Sequence, residues 1–205
     1  FPIDMMQGGA GTSVNMNANE VIANRALELM GHQKGEYQFC HPNNHINLAQ
    51  STNDAYPTAA KLGICLSTES LITELERLIA SFRDKGNAFG GHIKMGRTQL
   101  QDAVPMTLGQ EFESYAASLE NEVPYMRQAA SGLLEINMGA TAIGTGINSD
   151  PAYADLVTKR LAEISGYPVR KAQNLIAATN DTTDFVSYSG QLKRLAVKIS
   201  KICND

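Results

Sequence analysis

Apolar residues recur at spacings of three and four after Pro105: Leu108, Phe112, Tyr115, Leu119, Val123, Met126, Ala130 and Leu133. This periodicity predicts one face of a helix of about thirty residues over 105–138, kinked at Pro124. Pro105 suits its first turn, and Thr107 with Gln110 suits a capping box. A second helix is predicted over 57–83, carrying Leu62, Leu66, Leu75, Leu78, Ile79 and Phe82. A third spans 13–30 and is closed by Gly31. A fourth begins at Asp150-Pro151 and ends near Gly166. The fifth, 183–205, presents Phe185, Tyr188, Leu192, Leu195, Ile199 and Ile202. Strand signals are almost absent, so the expected fold is mostly α, a bundle of long helices. Apolar stripes of that length seek partners of equal length, which points to helices of other subunits.

Composition narrows this picture. The 205 residues are 43% hydrophobic and 19% charged, enough to bury a core and unlike a disordered chain. A net charge of −4 without a basic stripe argues against a nucleic-acid or anionic-membrane partner. Cys40, Cys65 and Cys203 are odd in number and lack a Cys-x-x-Cys pair, so they suggest neither zinc nor a disulfide framework. A reducing, cytoplasmic setting fits them. No apolar run reaches the length of a membrane span. The chain opens on "FPIDMM" without an initiator Met and stops inside the amphipathic "LAVKISKICND". It is expected to be a piece of a longer protein, truncated at both ends.

The chemistry is concentrated in four polar segments where helices are predicted to begin. "QGGAGTSVNMNANE" (7–20) sets three glycines ahead of Thr12 and Ser13. "QSTND" (50–54), "KMGRTQLQDAVP" (94–105) and "GATAIGTGINSDP" (139–151) complete the set. Glycines let a backbone approach a ligand, and a helix N-terminus offers free N–H groups to an anion. The last segment imitates a phosphate loop, but Thr145 stands where that motif needs lysine, which rejects nucleotide binding. Each segment taken alone is better explained as a cap or turn than as a site. Four in one helical chain favour a cradle of neutral donors, which binds carboxylates without burying a fixed charge pair. "HPNNHIN" (41–47) has a His-x-x-x-His spacing, but Pro42 and two asparagines argue for a loop, and no third ligand is near for a metal.

In order and spacing, "GTSVNMNANEV", "HPNNHINLAQSTNDAYPT", "GRTQLQDAVPMTLGQEF" and "GATAIGTGIN" resemble the signature regions of the aspartase/fumarase superfamily over nearly the whole chain. The resemblance implies a partial central helical-bundle domain over 1–205, with the N-terminal domain, the catalytic serine loop and the C-terminal domain outside this chain. It implies reversible anti elimination of ammonia from L-aspartate to give fumarate, with no cofactor and no metal. Gln99 stands where fumarases typically carry His, which tilts the choice toward ammonia. A fumarate hydratase or a non-catalytic structural helical oligomer is the alternative. By resemblance Thr12, Ser51 and Thr52 hold the β-carboxylate, Asn53, Thr12 and Gln99 meet the amino group, and Thr98 meets the α-carboxylate. The family's base is a serine on a glycine-rich loop, so no catalytic base is expected here. The family forms homotetramers whose sites each draw on three chains. His41, Asn43 and Asn44 resemble a region that forms a second dicarboxylate site in fumarases.

Overall fold

The computed structural model describes residues 1, 3, 4, 6 and 8–205; Gln7, the first residue of the first polar segment, lies outside the described residues, as do Pro2 and Met5 of "FPIDMM". In chain order the elements are α1 (Thr12–Leu29), a π-helical turn (Pro42–Ile46), α2 (Thr52–Ala88), β1 (Ile93–Thr98), β2 (Gln101–Thr107), α3 (Leu108–Glu120), α4 (Glu122–Gly132), β3 (Glu135–Ile136), α5 (Tyr153–Ser165), β4 (Arg170–Lys171), α6 (Leu175–Asn180) and α7 (Thr183–Asn204). Two compact units share this chain. The first comprises 1–63 and 133–182, the second 64–132 and 183–205, with α2 beginning in the first and continuing in the second.

The first unit has two apolar centres. Ile136, Met138 and Val169 pack with Ala55, Leu62, Tyr153 and Leu161, and the parallel pair β3–β4 lies among them. Ala23, Leu27 and Cys40 pack with Tyr37 and Ile46. In the second unit Leu75, Ile79, Ala116, Leu119 and Leu195 form the core, edged by Phe82, Val123, Ile199 and Ile202. Burying each such Leu or Ile contributes about 1.5–3 kcal/mol, so periodicity rather than propensity holds these helices. Thr68 and Tyr188 share a buried 2.6 Å hydroxyl bond there.

The mostly α expectation holds, and α1, α5 and α7 fall where periodicity placed them. The helix expected over 57–83 runs from Thr52 to Ala88, the one expected to reach 138 ends at Gly132, and α6 has no counterpart among the predicted helices. Three further details differ. The segment 93–107 is an antiparallel hairpin, with Pro105 paired to Met95 inside β2 rather than opening a helix. Alternation there is weak because β2 is exposed over most of its length, leaving no apolar face to show period two. The long helix after it is two helices, α3 and α4, broken at Asn121. Pro124 is the third residue of α4 and has no N–H for the turn before it, so the break precedes the proline instead of bending at it. The predicted capping box is present: Gln110 N donates to Thr107 Oγ1 at 3.1 Å and Thr107 N to Gln110 Oε1 at 2.9 Å. Finally, "HPNNHIN" is no open loop but a π-helical turn capped by His41.

Candidate active site

Thr12, Ser51, Thr52 and Asn53 all belong to the first unit, where the N-termini of α1 and α2 meet. Gly11 makes this approach possible. It has φ +84°, and a Cβ on it would lie 2.5 Å from the Tyr56 ring of α2. One turn into α1, Asn15 Nδ2 donates to Thr52 Oγ1 at 3.1 Å, and Asn19 Nδ2 donates to Asn47 Oδ1 at 3.1 Å. The first helix therefore braces the second through asparagine amides.

Ser51 caps α2. Its Oγ accepts from Asn53 N at 3.1 Å, and Ser51 N donates to Asp54 Oδ1 at 2.9 Å, a variant of the capping box in which the hydroxyl serves the second helical N–H instead of the third. Pro57 lacks the N–H that the Asn53 carbonyl would receive one turn on, and Asn137 Nδ2 supplies that bond instead at 3.0 Å. Asn53 Nδ2 in turn donates to Ala142 O at 2.7 Å. Thus the loop 137–148 is brought beside the opening of α2, although its residues lie far along the chain. Together they enclose an open polar cleft of about 710 Å³, lined by Asn43, Asn44 and residues 47–52 on one side and by Thr141, Ala142, Ile147 and Asn148 on the other.

Left-handed backbone is concentrated in the polar segments. Among the described residues six non-glycines have φ in the left-handed region: Ala10, Ala49, Gln99, Leu100, Thr141 and Asn148. Every one lies in or beside the four polar segments, and Ala49, Thr141 and Asn148 line the cleft. For residues other than Asn such a conformation costs on the order of 1–2 kcal/mol, and Gln99 and Leu100 adopt it as the turn of a hairpin.

Thr98 and Gln99 belong to the second unit. Thr98 pairs with Gln101, so Gln99 and Leu100 form a two-residue hairpin turn with φ +52° and +63°. Such a turn ordinarily takes Asn-Gly, so a sequence search for turn residues overlooks it. His41 Nδ1 accepts from Asn43 N at 3.0 Å and Asn44 N at 3.3 Å, and His41 N donates to His45 Nδ1 at 2.8 Å. Both rings thereby serve the π-helical turn, while Asn43 and Asn44 stay exposed. Among the described residues no three His, Cys, Asp or Glu side chains gather as a metal site would require, and no helix is long and apolar enough to cross a membrane.

Asp54 lacked any assigned role in the sequence. It is wholly buried, with Oδ1 on Ser51 N and Oδ2 accepting from Thr141 N at 2.8 Å. Burial raises its carboxyl above the usual range, and bonds from the backbone of Ser51, Thr141, Ala55 and Gly139 offset part of that.

The sequence profile of a family described as "Lyase" matches residues 1–205. Aspartate ammonia-lyase of Pseudomonas aeruginosa is 62% identical over the whole of this chain, and the chain covers 44% of that protein. Aspartate ammonia-lyase of Escherichia coli is 56% identical over the whole chain, which covers 43% of it. Among solved structures, a fumarate lyase:delta crystallin from Brucella melitensis superposes with a TM-score of 0.97 at 55% identity, over 99% of this chain and 44% of that one. A class II fumarase from Schistosoma mansoni gives 0.89 at 33%, over 100% and 46%. The chain belongs to this lyase family, the aspartase/fumarase superfamily that its motifs resemble. It spans about 44% of the length of the aspartate ammonia-lyases it matches.

Proposed function

We propose that the protein carrying this chain at the length of its relatives is an aspartate ammonia-lyase, which eliminates ammonia from L-aspartate to give fumarate. The carrying observation is the state of the two hydroxyls at the mouth of α2. Ser51 Oγ already accepts from Asn53 N, and Thr52 Oγ1 already accepts from Asn15 Nδ2. Each keeps its proton to give, and both residues line the cleft, so either can donate to an acceptor bound there. Two neutral donors suit a carboxylate whose charge grows during reaction; Thr12, at the start of α1 and outside the cleft's lining, joins them by resemblance alone.

The chemistry then runs as follows. A base takes the C3 proton, and its electron pair moves into the β-carboxylate to give an enediolate-like dianion. That pair returns to form the C2–C3 double bond as the C–N bond breaks, nitrogen leaving with its electrons as ammonia. Thr12, Ser51 and Thr52 hold the β-carboxylate. Asn53 Nδ2 is committed to Ala142 O, and by resemblance its side-chain oxygen, with Thr12 and Gln99, meets the substrate ammonium. Thr98 meets the α-carboxylate, and the base is the serine of a glycine-rich loop outside this chain.

The same reading includes a cytoplasmic homotetramer with sites built from three chains. Leu66 of α2 and Val186 and Val197 of α7 support it, since each is exposed by 60% or more on a helix whose other face packs. Three free cysteines accord with a reducing compartment. A second dicarboxylate pocket at His41, Asn43 and Asn44 has less behind it, because His41 Nδ1 is engaged by the turn it caps.

The test supplies fumarate and ammonium to the full-length protein. L-Aspartate is the expected product; L-malate without L-aspartate establishes the hydratase instead, a reading favoured only by the lower-identity fumarase likeness.

A further inference from the structure

Asp54 has two oxygens with different duties. Oδ1 completes the capping box of its own helix, which any Asp or Glu at this position could do. Oδ2 does something a cap does not require: it accepts from Thr141 N, 87 positions along the chain. Thr141 has φ +58°, a conformation that a β-branched residue rarely adopts. It lines the cleft opposite Ser51 and Thr52. Its neighbours are held as well, with Ala142 O on Asn53 Nδ2 at 2.7 Å and Asn137 Nδ2 bonded to both Asn53 O and Thr179 Oγ1. Gly139 is locked in its turn, since a Cβ there would lie 2.5 Å from that of Ala154. Among the described residues the hydrogen-bond partners of the Asp54 carboxylate are backbone N–H groups, donors that cannot swing away or carry a proton off. A buried anion served this way adds no mobile cation to a cleft meant for a dicarboxylate.

From this geometry we infer that Asp54 is a positioning residue for the proposed reaction, its Oδ2 clamping the left-handed Thr141 backbone so that the loop 139–142 and the Ser51–Asn53 turn keep one cleft shape. The inference rests on the ammonia-lyase reading for its kinetic consequence, while the clamp itself is a property of the fold. Asp54 touches no substrate in this scheme. It acts through the two segments it joins.

The experiment is Asp54→Asn in the full-length protein. The amide oxygen can still cap α2, but its NH2 group faces the Thr141 N–H, donor against donor. Losing a bond to a buried carboxylate is expected to raise KM for L-aspartate by about tenfold or more, with a smaller change in kcat. Hydrogen exchange should show the Thr141 amide losing protection while amides in the middle of α2 keep theirs. Adding Thr141→Gly, which adopts positive φ without strain, should recover part of the lost KM. A role confined to capping predicts the opposite pattern: lower melting temperature, unchanged KM and no recovery from the glycine. Either an unchanged KM or the absence of recovery overturns the inference. Should Asp54→Asn fail to fold, the wild type decides, because a Thr141 amide exchanging as fast as an exposed loop amide equally overturns it. Absence of any lyase activity in the wild type refutes the ammonia-lyase proposal, and the Thr141 exchange then still reports on the clamp.

Discussion

Among the described residues the two compact units each bury one carboxylate, and they satisfy it by opposite means. In the first unit Asp54 is held by backbone N–H groups alone, and burial leaves its carboxyl raised. In the second, Glu122 at the start of α4 receives Gln191 Nε2 at 2.8 Å, Arg194 Nε at 2.9 Å and the Lys198 ammonium, all from α7. Burial pushes Glu122 up too, but the bonds from Lys198 and Gln191 and the charges of Lys198 and Arg194 outweigh it and leave it lowered. Charged side chains are strong ties between helices, and they swing with their rotamers. Backbone donors are fixed in place by the fold. A unit that must hold a cleft at one shape uses the fixed kind, and a unit that must hold helices together uses the strong kind.

The sharpest way to break this contrast is to remove a donor from the cleft. Thr52→Val keeps shape but deletes a hydroxyl that, in the proposed reaction, bonds more strongly to the enediolate than to the substrate. In the full-length protein kcat should fall roughly a hundredfold or more, about 3 kcal/mol. Normal turnover with a lowered melting temperature would return Thr52 to a purely structural role.

Glu122→Gln probes the other arm. A neutral amide leaves Arg194 and Lys198 without their counter-ion, at a cost of about 2 kcal/mol. That lies below the value for a fully enclosed pair, because Arg194 and Lys198 are 44% and 29% exposed. The folded carboxyl is lowered, so its stabilising share is complete above the unfolded pKa and is lost as pH falls through the folded one. The variant should therefore show a shallower loss of stability on acidification than the wild type. Asp54, being raised, works with the opposite sign: its share is present when protonated and declines as pH rises from the unfolded value through the folded one. An equal acid slope in wild type and Glu122→Gln, read from denaturant melts at several pH values, would erase the distinction between the two carboxylates.

The smallest expected effect compares the two capping boxes. Thr107–Gln110 caps α3 and has no second duty, whereas Ser51–Asp54 caps α2 and also reaches the loop at Thr141. Thr107→Ala should cost about 1 kcal/mol of stability and leave KM for L-aspartate within about twofold. A large kinetic effect would mean that cap chemistry alone does not separate the two boxes.

Much of this was legible along the chain. The spacing of Phe185, Tyr188, Leu192, Leu195, Ile199 and Ile202 placed α7, because a helix face needs only local periodicity to be seen. Thr107 and Gln110 announced their capping box for the same reason: both bonds close within four residues. The four polar segments, with Thr12, Ser51, Thr52, Asn53, Thr98 and Gln99 in them, could be located from residue type. Their geometry could not. The turn at Gln99 and Leu100 contains neither Gly nor Asn, so nothing local marks it, and the exposed hairpin around it lacks an apolar face to betray its strands. The carbonyl that Pro57 leaves unpaired at Asn53 is a local fact, but the Asn137 amide that answers it comes from 84 residues away. Asp54 is the clearest case. Its first oxygen is spoken for by a neighbour three residues back, which sequence spacing can suggest, and its second by Thr141, 87 residues on. Local spacing determines which groups a helix end exposes and which it satisfies; only the packed chain, by bringing a strained loop against that end, decides what the remaining oxygen holds.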